Sequence, residues 1–334
     1  MIISRAPLRV SFLGGITDYP EYFMREGKNG AVLGSTINKW VNVMILPQPD
    51  FELVKYRFTY RITEAVDNFD EIMHPVVRTA LREKDWHQPI NIATMAQLPG
   101  RSGLGSSSAF TVALLAGLHA VENLNEPLDK EVIAMEAVRI ERDLIGEVGG
   151  IQDQYHATMG GFRLYKFGRG GVTHLRVGTD RLIEYFSSSL VLIATGGGRD
   201  SKLYAGITQN RILEKKRIKL LDEMSTLTED VAQQIQNVSP SVKALDLLGS
   251  AINEAWKIKV ELSGHQSSEV DDLLDFGLKN GALGAKLCGA GGSGFAAFLV
   301  EPEKRMDFIS KFPARDVIDA QFSEGGVNVQ KVFA

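Results

Sequence analysis

The chain has 334 residues, of which 44% are hydrophobic and 23% are charged, so its composition is that of a globular protein long enough for two domains. The formal net charge is −4 and no basic tract stands out, which argues against nucleic acid as a partner. The single cysteine, Cys288, excludes an internal disulfide and a multi-cysteine zinc site. With no signal-peptide core and no apolar run of transmembrane length, we expect a cytoplasmic protein that does not bind a membrane.

Apolar periodicity predicts interleaved strands and helices over the first part of the chain. The predicted strands lie at residues 2–12, 51–62, 89–95, 162–167 and 191–194, with a pair of strands over 31–46. The predicted helices lie at residues 71–83, 106–123 and 128–144. The helix at 106–123 is so apolar that we expect it to be buried between layers.

Long charged helical segments begin near residue 200 and change the character of the sequence. The predicted helices here lie at residues 210–236, 241–261 and 268–279, and short strands lie at 285–287, 295–300 and 327–333. We therefore expect two domains, residues 1–185 and residues 186–334.

A glycine- and serine-rich segment leads directly into the helix predicted at 106–123. Gly103 and Gly105 give a polyanion room to approach the backbone, and a helix N-terminus supplies oriented N–H donors. Ser106, Ser107 and Ser108 could cap the helix or reach a metal on bound phosphates. No Gly-Lys-Ser/Thr follows the glycines, so this is not a Walker A loop. Taken alone, the pattern fits a plain helix cap as well as a phosphate loop.

The complete string is more specific than its glycines. Pro-x-x-x-Gly-Leu-Gly-Ser-Ser-x-Ala resembles the second signature of the GHMP kinases, and residues 5–19 and 286–294 resemble the first and third signatures in the same order. This resemblance implies binding of ATP and Mg²⁺ and transfer of a phosphoryl group to an alcohol. The implied nucleotide-binding residues are Pro99, Gly100, Arg101, Ser102, Gly103, Leu104, Gly105, Ser106, Ser107 and Ser108.

The same resemblance implies the fold. We expect an α+β, two-domain GHMP kinase fold with a ribosomal-protein-S5-like N-terminal domain and a ferredoxin-like C-terminal domain of helices and sheet. The active site would lie between the two domains.

The third motif also spells Gly-x-Gly-x-x-Gly at Gly289, Gly291 and Gly294, which raises a dinucleotide-binding alternative. That fingerprint should open a helix inside a βαβ unit. Here it precedes the strand predicted at 295–300, and only 40 residues follow Gly294. The context therefore disfavours an oxidoreductase.

Two carboxylates flank a glycine turn after the helix predicted at 128–144. Glu141 alone would fit a solvated helix end, but Glu-Arg followed by the turn and Asp153 resembles galactokinase and mevalonate kinase. The resemblance implies that Glu141 binds Mg²⁺ with a serine hydroxyl, Ser107 or alternatively Ser106, and that Asp153 acts on the acceptor hydroxyl. Arg9 of the first motif is implied to pair with Asp153 and to stabilise the transferring phosphoryl group.

The first motif also carries the implied acceptor contacts. Thr-Asp-Tyr matches the sugar-binding turn of galactokinase-like enzymes, yet the Gly-Glu-His that usually precedes it is replaced by Gly-Gly-Ile, which makes galactose doubtful. The first motif and residues 195–202 are closer to D-glycero-D-manno-heptose 7-phosphate kinases and related fucokinase-like sugar-1-kinases. The implied substrate-binding residues are Gly14, Gly15, Thr17, Asp18, Tyr19, Arg199, Gly289 and Gly291.

A phosphorylated sugar would need a basic clamp as well. The candidate cations are Arg199, Lys202, Arg163, Arg25 and Lys28, each of which could equally be a surface cation.

We therefore expect an ATP-dependent kinase that phosphorylates the anomeric hydroxyl of a small-molecule sugar or sugar phosphate, with a heptose 7-phosphate as the leading acceptor. The alternatives are another sugar-1-kinase, a mevalonate-type kinase, or a non-catalytic sugar and ATP sensor. The presence of all the implied catalytic residues favours an enzyme. The sequence leaves monomer and homodimer open.

Overall fold

The computed structural model of the protein describes residues 1–100, 103–123, 126–195, 214–263, 268–289 and 294–332. The strands of these residues are β1 (Ile2–Leu13), β2 (Gly30–Pro47), β3 (Tyr56–Thr59), β4 (Thr63–Val66), β5 (Ile90–Ala96), β6 (Phe162–Gly168), β7 (Gly171–Arg176), β8 (Leu190–Ala194), β9 (Ala282–Leu287), β10 (Phe295–Val300), β11 (Val317–Ile318) and β12 (Asn328–Lys331). The helices are α1 (Pro20–Phe23), α2 (Pro75–Glu83), α3 (Ser106–Glu122), α4 (Lys130–Val138), α5 (Gln152–Met159), α6 (Asp180–Ser189), α7 (Lys215–Ile235), α8 (Val242–Ser263), α9 (Ser268–Lys279) and α10 (Arg305–Ile309).

The strands form two sheets. An eight-stranded sheet has the order β12-β1-β2-β5-β3-β4, with β6 paired to β2 and β7 paired to β6. Its neighbours are antiparallel except β3 and β5, which run parallel. A four-stranded antiparallel sheet has the order β11-β8-β10-β9. The α+β expectation is confirmed.

Helix α3 lies against β1 and β2 of the larger sheet and contacts α4 and α5. Most of its side chains are buried, as its apolar sequence predicts. This position matters for the site, because the start of α3 lies beside the strand that carries Arg9. On the smaller sheet, α8 and α9 pack against β9.

Strand β2 corrects the prediction of two strands over residues 31–46. It is one strand of 18 residues that pairs with β6 through its first part and with β5 through its last part. Its polar middle binds a distant segment instead of turning. The Thr36 hydroxyl donates to the carbonyl of Ser323 at 2.6 Å, and the N–H of Asn38 donates to the carbonyl of Gln321 at 2.8 Å.

Other element boundaries also differ from the prediction. The strand predicted at 51–62 is confined to β3, and the helix predicted at 128–144 is α4 continued by a π-helical turn, Arg139–Leu144. The helix predicted at 71–83 begins only at Pro75, which takes a first-turn position where proline is tolerated. The first residues of the helix predicted at 210–236 lie outside the described residues. The elements that the sequence analysis did not predict include β4, β7, α5 and α6.

The last strand returns to the larger sheet. Strand β12 pairs antiparallel with β1, with Ile2 opposite Lys331. Helix α7 also contacts β2, and the Lys28 ammonium makes an ion pair with Asp222 of α7 at 2.6 Å. The domain boundary between residues 185 and 186 stays a prediction. None of the helices in the described part of the chain combines the length and hydropathy needed to cross a bilayer.

His156 packs α5 against the larger sheet. Its side chain is fully buried, its ring centroid lies 4.5 Å from that of Tyr165, and neither ring nitrogen has a hydrogen-bond partner among the described residues. A Cβ on Gly34 of β2 would lie 2.7 Å from the His156 Cε1 atom, so glycine makes room for the ring. Burial, with the nearby Arg9 and Arg163 charges, holds the pKa of His156 well below its usual value of 6.5.

This buried histidine makes stability depend on pH. The unfolded chain takes up a proton at His156 below about pH 6.5, whereas the folded protein keeps the ring neutral, so its contribution is present above that pH and is lost as the pH falls towards the lower folded pKa. Between pH 7 and pH 5, we expect the free energy of unfolding of His156→Leu to fall less steeply than that of the unaltered protein. The difference in slope should be up to about 1.4 kcal/mol per pH unit, measured by urea denaturation. His87→Gln, at an exposed histidine, is the control. An unchanged slope in His156→Leu would contradict this interpretation.

Candidate active site

Arg9 and Asp153 form a bidentate ion pair at the centre of the candidate site. The Arg9 Nε and Nη2 atoms donate to the two carboxylate oxygens of Asp153 at 2.8 and 2.7 Å. The side chains are 7% and 24% exposed, so the arginine is buried while the carboxylate reaches solvent. The Arg9 side chain projects from β1, and Asp153 lies in the first turn of α5. The structure thus brings the two predicted catalytic residues into contact.

The predicted phosphate loop runs past this pair. The Arg9 Nη1 atom donates to the carbonyl of Gly103 at 2.6 Å, and the Arg9 N–H donates to the carbonyl of Leu104 at 2.9 Å. Gly105 lies at φ +75°, and a Cβ there would lie 3.2 Å from the Arg9 Cγ atom and 3.4 Å from the Asp153 Oδ2 atom. The left-handed φ favours glycine here, and a side chain would contact Arg9 tightly.

The start of α3 fits an anion. Gly105 precedes the helix and supplies no side-chain cap, so the first N–H groups of α3 remain available to donate to a ligand. Pro99 and Gly100 are exposed before the loop, and Leu104 is fully buried beneath it. Arg101 and Ser102 lie outside the described residues. These features fit the phosphates of ATP.

The third motif contacts the phosphate loop through a pair of glycines. Gly103 and Gly289 both have φ near +75°. A Cβ on Gly103 would lie 2.5 Å from the carbonyl oxygen of Cys288, and a Cβ on Gly289 would lie 2.5 Å from the Gly103 Cα atom. We call this contact the glycine crossing. Gly291 lies outside the described residues.

Glu141 is buried behind the loop and is held by three side-chain donors. The Ser108 hydroxyl donates to one carboxylate oxygen at 2.8 Å, the Thr111 hydroxyl donates to the other at 2.5 Å, and the Gln154 amide donates as well. Glu141 is only 5% exposed, and burial raises its pKa to about 6 although these hydrogen bonds act in the opposite direction. A bound cation would favour the charged carboxylate.

The sequence analysis missed Thr111 and Gln154. One signal was available, because Thr111 follows Ser108 by three residues on the same helix and shares its face.

The serines differ in their surroundings. Ser107 is exposed, Ser106 is partly exposed, and the buried Ser108 is the one bonded to Glu141. Among the described residues, no three His, Cys, Asp or Glu side chains cluster as metal ligands. Mg²⁺ is commonly held by one or two carboxylates together with phosphate oxygens, so Glu141 and a neighbouring hydroxyl fit such an ion. Ser107 as the ligand, with Ser106 as the alternative, stays a prediction.

The predicted acceptor turn is tightly built. Gly14 has φ +84°, and a Cβ there would lie 1.8 Å from the Ala31 carbonyl oxygen, whereas Gly15 faces open space. The Thr17 hydroxyl lies 2.7 Å from the carbonyl oxygen of Gly14 and 2.9 Å from that of Ala31, so it supports the turn itself. Tyr19 is buried beside it, and burial raises the pKa of its hydroxyl.

Asp18 joins the acceptor turn to α5. Its carboxylate accepts hydrogen bonds from the N–H groups of Ile16 and Gln152, both at 3.1 Å. The side chain is 1% exposed, and burial raises its pKa to about 6. A Cβ on Gly150 would lie 1.7 Å from the Asp18 Oδ2 atom, so this glycine allows the contact. Asp18 is thus bonded to the residue that directly precedes Asp153 at the start of α5.

The basic-clamp candidates in the described structure have separate partners or are exposed. Lys28 pairs with Asp222, Arg163 donates to the carbonyl of Gly160 at 2.7 Å, and Arg25 is exposed. Arg199 and Lys202 lie outside the described residues.

The sequence matches two profiles of one protein family. The profile of the GHMP kinases N terminal domain matches residues 71–161, and that of the GHMP kinases C terminal matches residues 233–315. Together the matches span more than half of the chain.

Two curated proteins illustrate the similarity in sequence. The chain is 28% identical to the D-glycero-alpha-D-manno-heptose 7-phosphate kinase of Campylobacter jejuni over 99% of both chains. It is 27% identical to the L-fucokinase/L-fucose-1-P guanylyltransferase of Bacteroides fragilis over 88% of this chain. The match covers 34% of that longer protein.

Solved structures share the fold. The crystal structure of a D-glycero-D-manno-heptose 1-phosphate kinase from Bacteroides thetaiotaomicron matches with a TM-score of 0.79 at 22% identity, covering 100% of both chains. Lactococcus lactis galactokinase complexed with galactose matches with a TM-score of 0.75 at 18% identity, covering 98% of this chain and 95% of the other. The expected two-domain fold is confirmed, and with the profile matches it shows that the chain belongs to the GHMP kinases and is a phosphotransferase of that family.

Proposed function

We propose that this chain is an ATP-dependent sugar kinase that phosphorylates the anomeric C1 hydroxyl of D-glycero-D-manno-heptose 7-phosphate to give the 1,7-bisphosphate. The observation that carries the kinase chemistry is the Arg9–Asp153 ion pair beside an uncapped helix start. The observation that favours the heptose phosphate is the similarity to the Campylobacter jejuni enzyme over 99% of both chains.

The donor side of the site uses backbone groups. N–H groups at the start of α3 would bind the phosphates of ATP, with the residues of the phosphate loop around them. The exposed Ser107 hydroxyl and Glu141 would hold Mg²⁺, which supplies positive charge to offset that of the phosphates. Ser108, Thr111 and Gln154 orient the Glu141 carboxylate for that task.

The acceptor side uses the two aspartates. Asp153 would accept a hydrogen bond, and then the proton, from the hydroxyl that attacks the phosphorus atom. Arg9 fixes the orientation of that carboxylate through two parallel hydrogen bonds. Asp18 retains unused acceptor positions, since a carboxylate offers about four lone-pair sites, and sugar hydroxyls would donate to them.

A panel of acceptors tests the proposal. ADP release should be measured with the heptose 7-phosphate, the unphosphorylated heptose, L-fucose, galactose and mevalonate, and the product's phosphorus NMR spectrum should show an anomeric phosphate. We expect the highest kcat/KM with the heptose 7-phosphate. Preference for unphosphorylated sugars would overturn the acceptor assignment, and binding of sugar and ATP without turnover by any acceptor would favour a sensor.

Asp153 provides the sharpest mutational prediction. Asp153→Asn keeps the shape of the side chain but removes the carboxylate that takes the proton, so we expect kcat to fall by about 10²- to 10⁴-fold with little change in ATP affinity. Asp143→Asn, at an exposed aspartate of the π-helical turn, is the matched control and should behave like the unaltered protein. Near-normal turnover in Asp153→Asn would remove Asp153 from the mechanism.

Thr111 tests the assignment of Glu141 to Mg²⁺. Thr111→Val is nearly isosteric and deletes the hydroxyl that orients Glu141, so we expect the Mg²⁺ concentration for half-maximal activity to rise about 10-fold or more. Thr228→Val is the control, because the Thr228 hydroxyl is also buried in a helix but bonds only the Met224 carbonyl among the described residues. The same Mg²⁺ dependence in both variants would argue that Glu141 does not bind the ion.

A further inference from the structure

Two lysines next to the candidate site form hydrogen bonds to backbone carbonyls. The Lys286 ammonium of β9 donates to the carbonyls of Ser11 and Phe12 at 2.6 and 2.9 Å and is 7% exposed. The Lys259 ammonium of α8 donates to the Gly289 carbonyl and lies 5.4 Å from the ring centroid of Trp256. Within the described ranges, neither ammonium makes an ion pair with a carboxylate.

These lysines belong to a cluster of three cations. Burial lowers the pKa of Lys286 to about 7, and the charges of Lys259 and Arg9 act in the same direction. Burial likewise lowers the pKa of Lys259 to about 8, with Arg9 adding to the effect. Two ammonium groups without a carboxylate partner among the described residues cost free energy in a partly dehydrated site unless an anion joins them. The two lysines therefore indicate an anionic ligand.

Arg9 has little capacity left for that anion. Two of its nitrogen atoms donate to Asp153, and the third donates to the Gly103 carbonyl. Its charge is already matched by the Asp153 carboxylate. In phosphoryl transfer, negative charge spreads over the oxygens of the transferring group. A cation without a carboxylate partner stabilises that charge more than a cation that is already paired.

Lys259 lies close to the phosphate loop. Its hydrogen-bond acceptor, Gly289, is half of the glycine crossing and contacts Gly103 of the phosphate loop. The charge of Arg9 lowers the pKa of Lys259, and the charge of Asp18 in the acceptor turn raises it. The Lys259 ammonium is therefore close to both the phosphate loop and the acceptor turn. A phosphate on C7 of a sugar lies several bonds from the C1 hydroxyl, so the transferring phosphoryl group is the anion that we expect near this ammonium.

We propose that Lys259 is a catalytic residue whose ammonium binds the terminal phosphoryl group of ATP and follows it to the acceptor. This inference rests on the proposed function. The acceptor oxygen forms the new bond to phosphorus, the bond from phosphorus to the β,γ-bridging oxygen breaks, and ADP leaves with that electron pair. The hydroxyl proton passes to Asp153, and Lys259 keeps its own proton throughout. Lys286 holds the end of β1 beside it.

Nucleotide affinities test the inference without any acceptor. Calorimetry with Mg²⁺ should compare ADP with an ATP analogue that has a non-hydrolysable imido bridge between its β- and γ-phosphates. Lys259→Met should weaken binding of the analogue about 10-fold or more, because a charge-assisted contact is lost, while ADP affinity stays within about two-fold. Lys259→Arg should restore part of the difference. Lys257→Met, at an exposed lysine two positions away on α8, should change neither affinity.

Kinetics with the best acceptor of the panel supply a second measurement. We expect Lys259→Met to lower kcat about 10²-fold, with the KM for the acceptor little changed. Equal weakening of ADP and the analogue, unchanged affinity for both, or a loss confined to the KM of phosphorylated acceptors would each overturn the inference. If the unaltered protein turns over no acceptor, the proposed function fails, and the ratio of the two nucleotide affinities still decides the role of Lys259.

Discussion

The Arg9 side chain is the contact on which the candidate site depends. It leaves a buried strand just after a shift in the register between β1 and β2, and it joins that strand to α5 and to the phosphate loop. Removing a guanidinium and a carboxylate from water is costly, and only good geometry with further hydrogen bonds compensates for it. Here the bidentate contact with Asp153 and the Gly103 carbonyl supply both. Because three segments meet on one side chain, none of them can shift without the other two.

Glycines allow the segments of the candidate site to approach one another closely. At the glycine crossing and at Gly150, any side chain would collide with backbone or with a carboxylate, and Gly105 adopts a left-handed φ. Near these close contacts, several ionisable groups have pKa values shifted from their usual values. Burial raises the pKa of Glu141 and of Asp18 and lowers that of Lys286. A cation near Glu141, hydrogen-bond donors near Asp18 and an anion near Lys286 would relieve these costs.

Local patterns in the sequence predicted the loop, its helix and the separate motifs, because glycine spacing and helical periodicity are local signals. The structure then brought Arg9 to Asp153, as the resemblance implied. Contacts between distant segments were beyond such signals. Gln154 reaches Glu141 from another helix, and Lys259 reaches Gly289 from α8. Helix α5 was missed because nearly all of its residues are buried, which erases the amphipathic stripe. Strand β2 was divided in error, since the sequence does not show that its middle bonds to a distant segment near Gln321 and Ser323.

The pairing of β12 with β1 has a consequence for how the protein is made. The N-terminal amine of Met1 donates to the carbonyl of Val332, a contact between groups separated by 331 positions in the chain. Strand β1 also carries Arg9, so the strand beneath the candidate site gains its outer neighbour only after almost the whole described chain has been synthesised. Contacts of such large sequence separation form slowly, and a nascent chain leaves this edge of β1 unpaired on the ribosome. Removing residues 328–331 would leave the strand that carries Arg9 without its outer neighbour, which links the far end of the described chain to the candidate site.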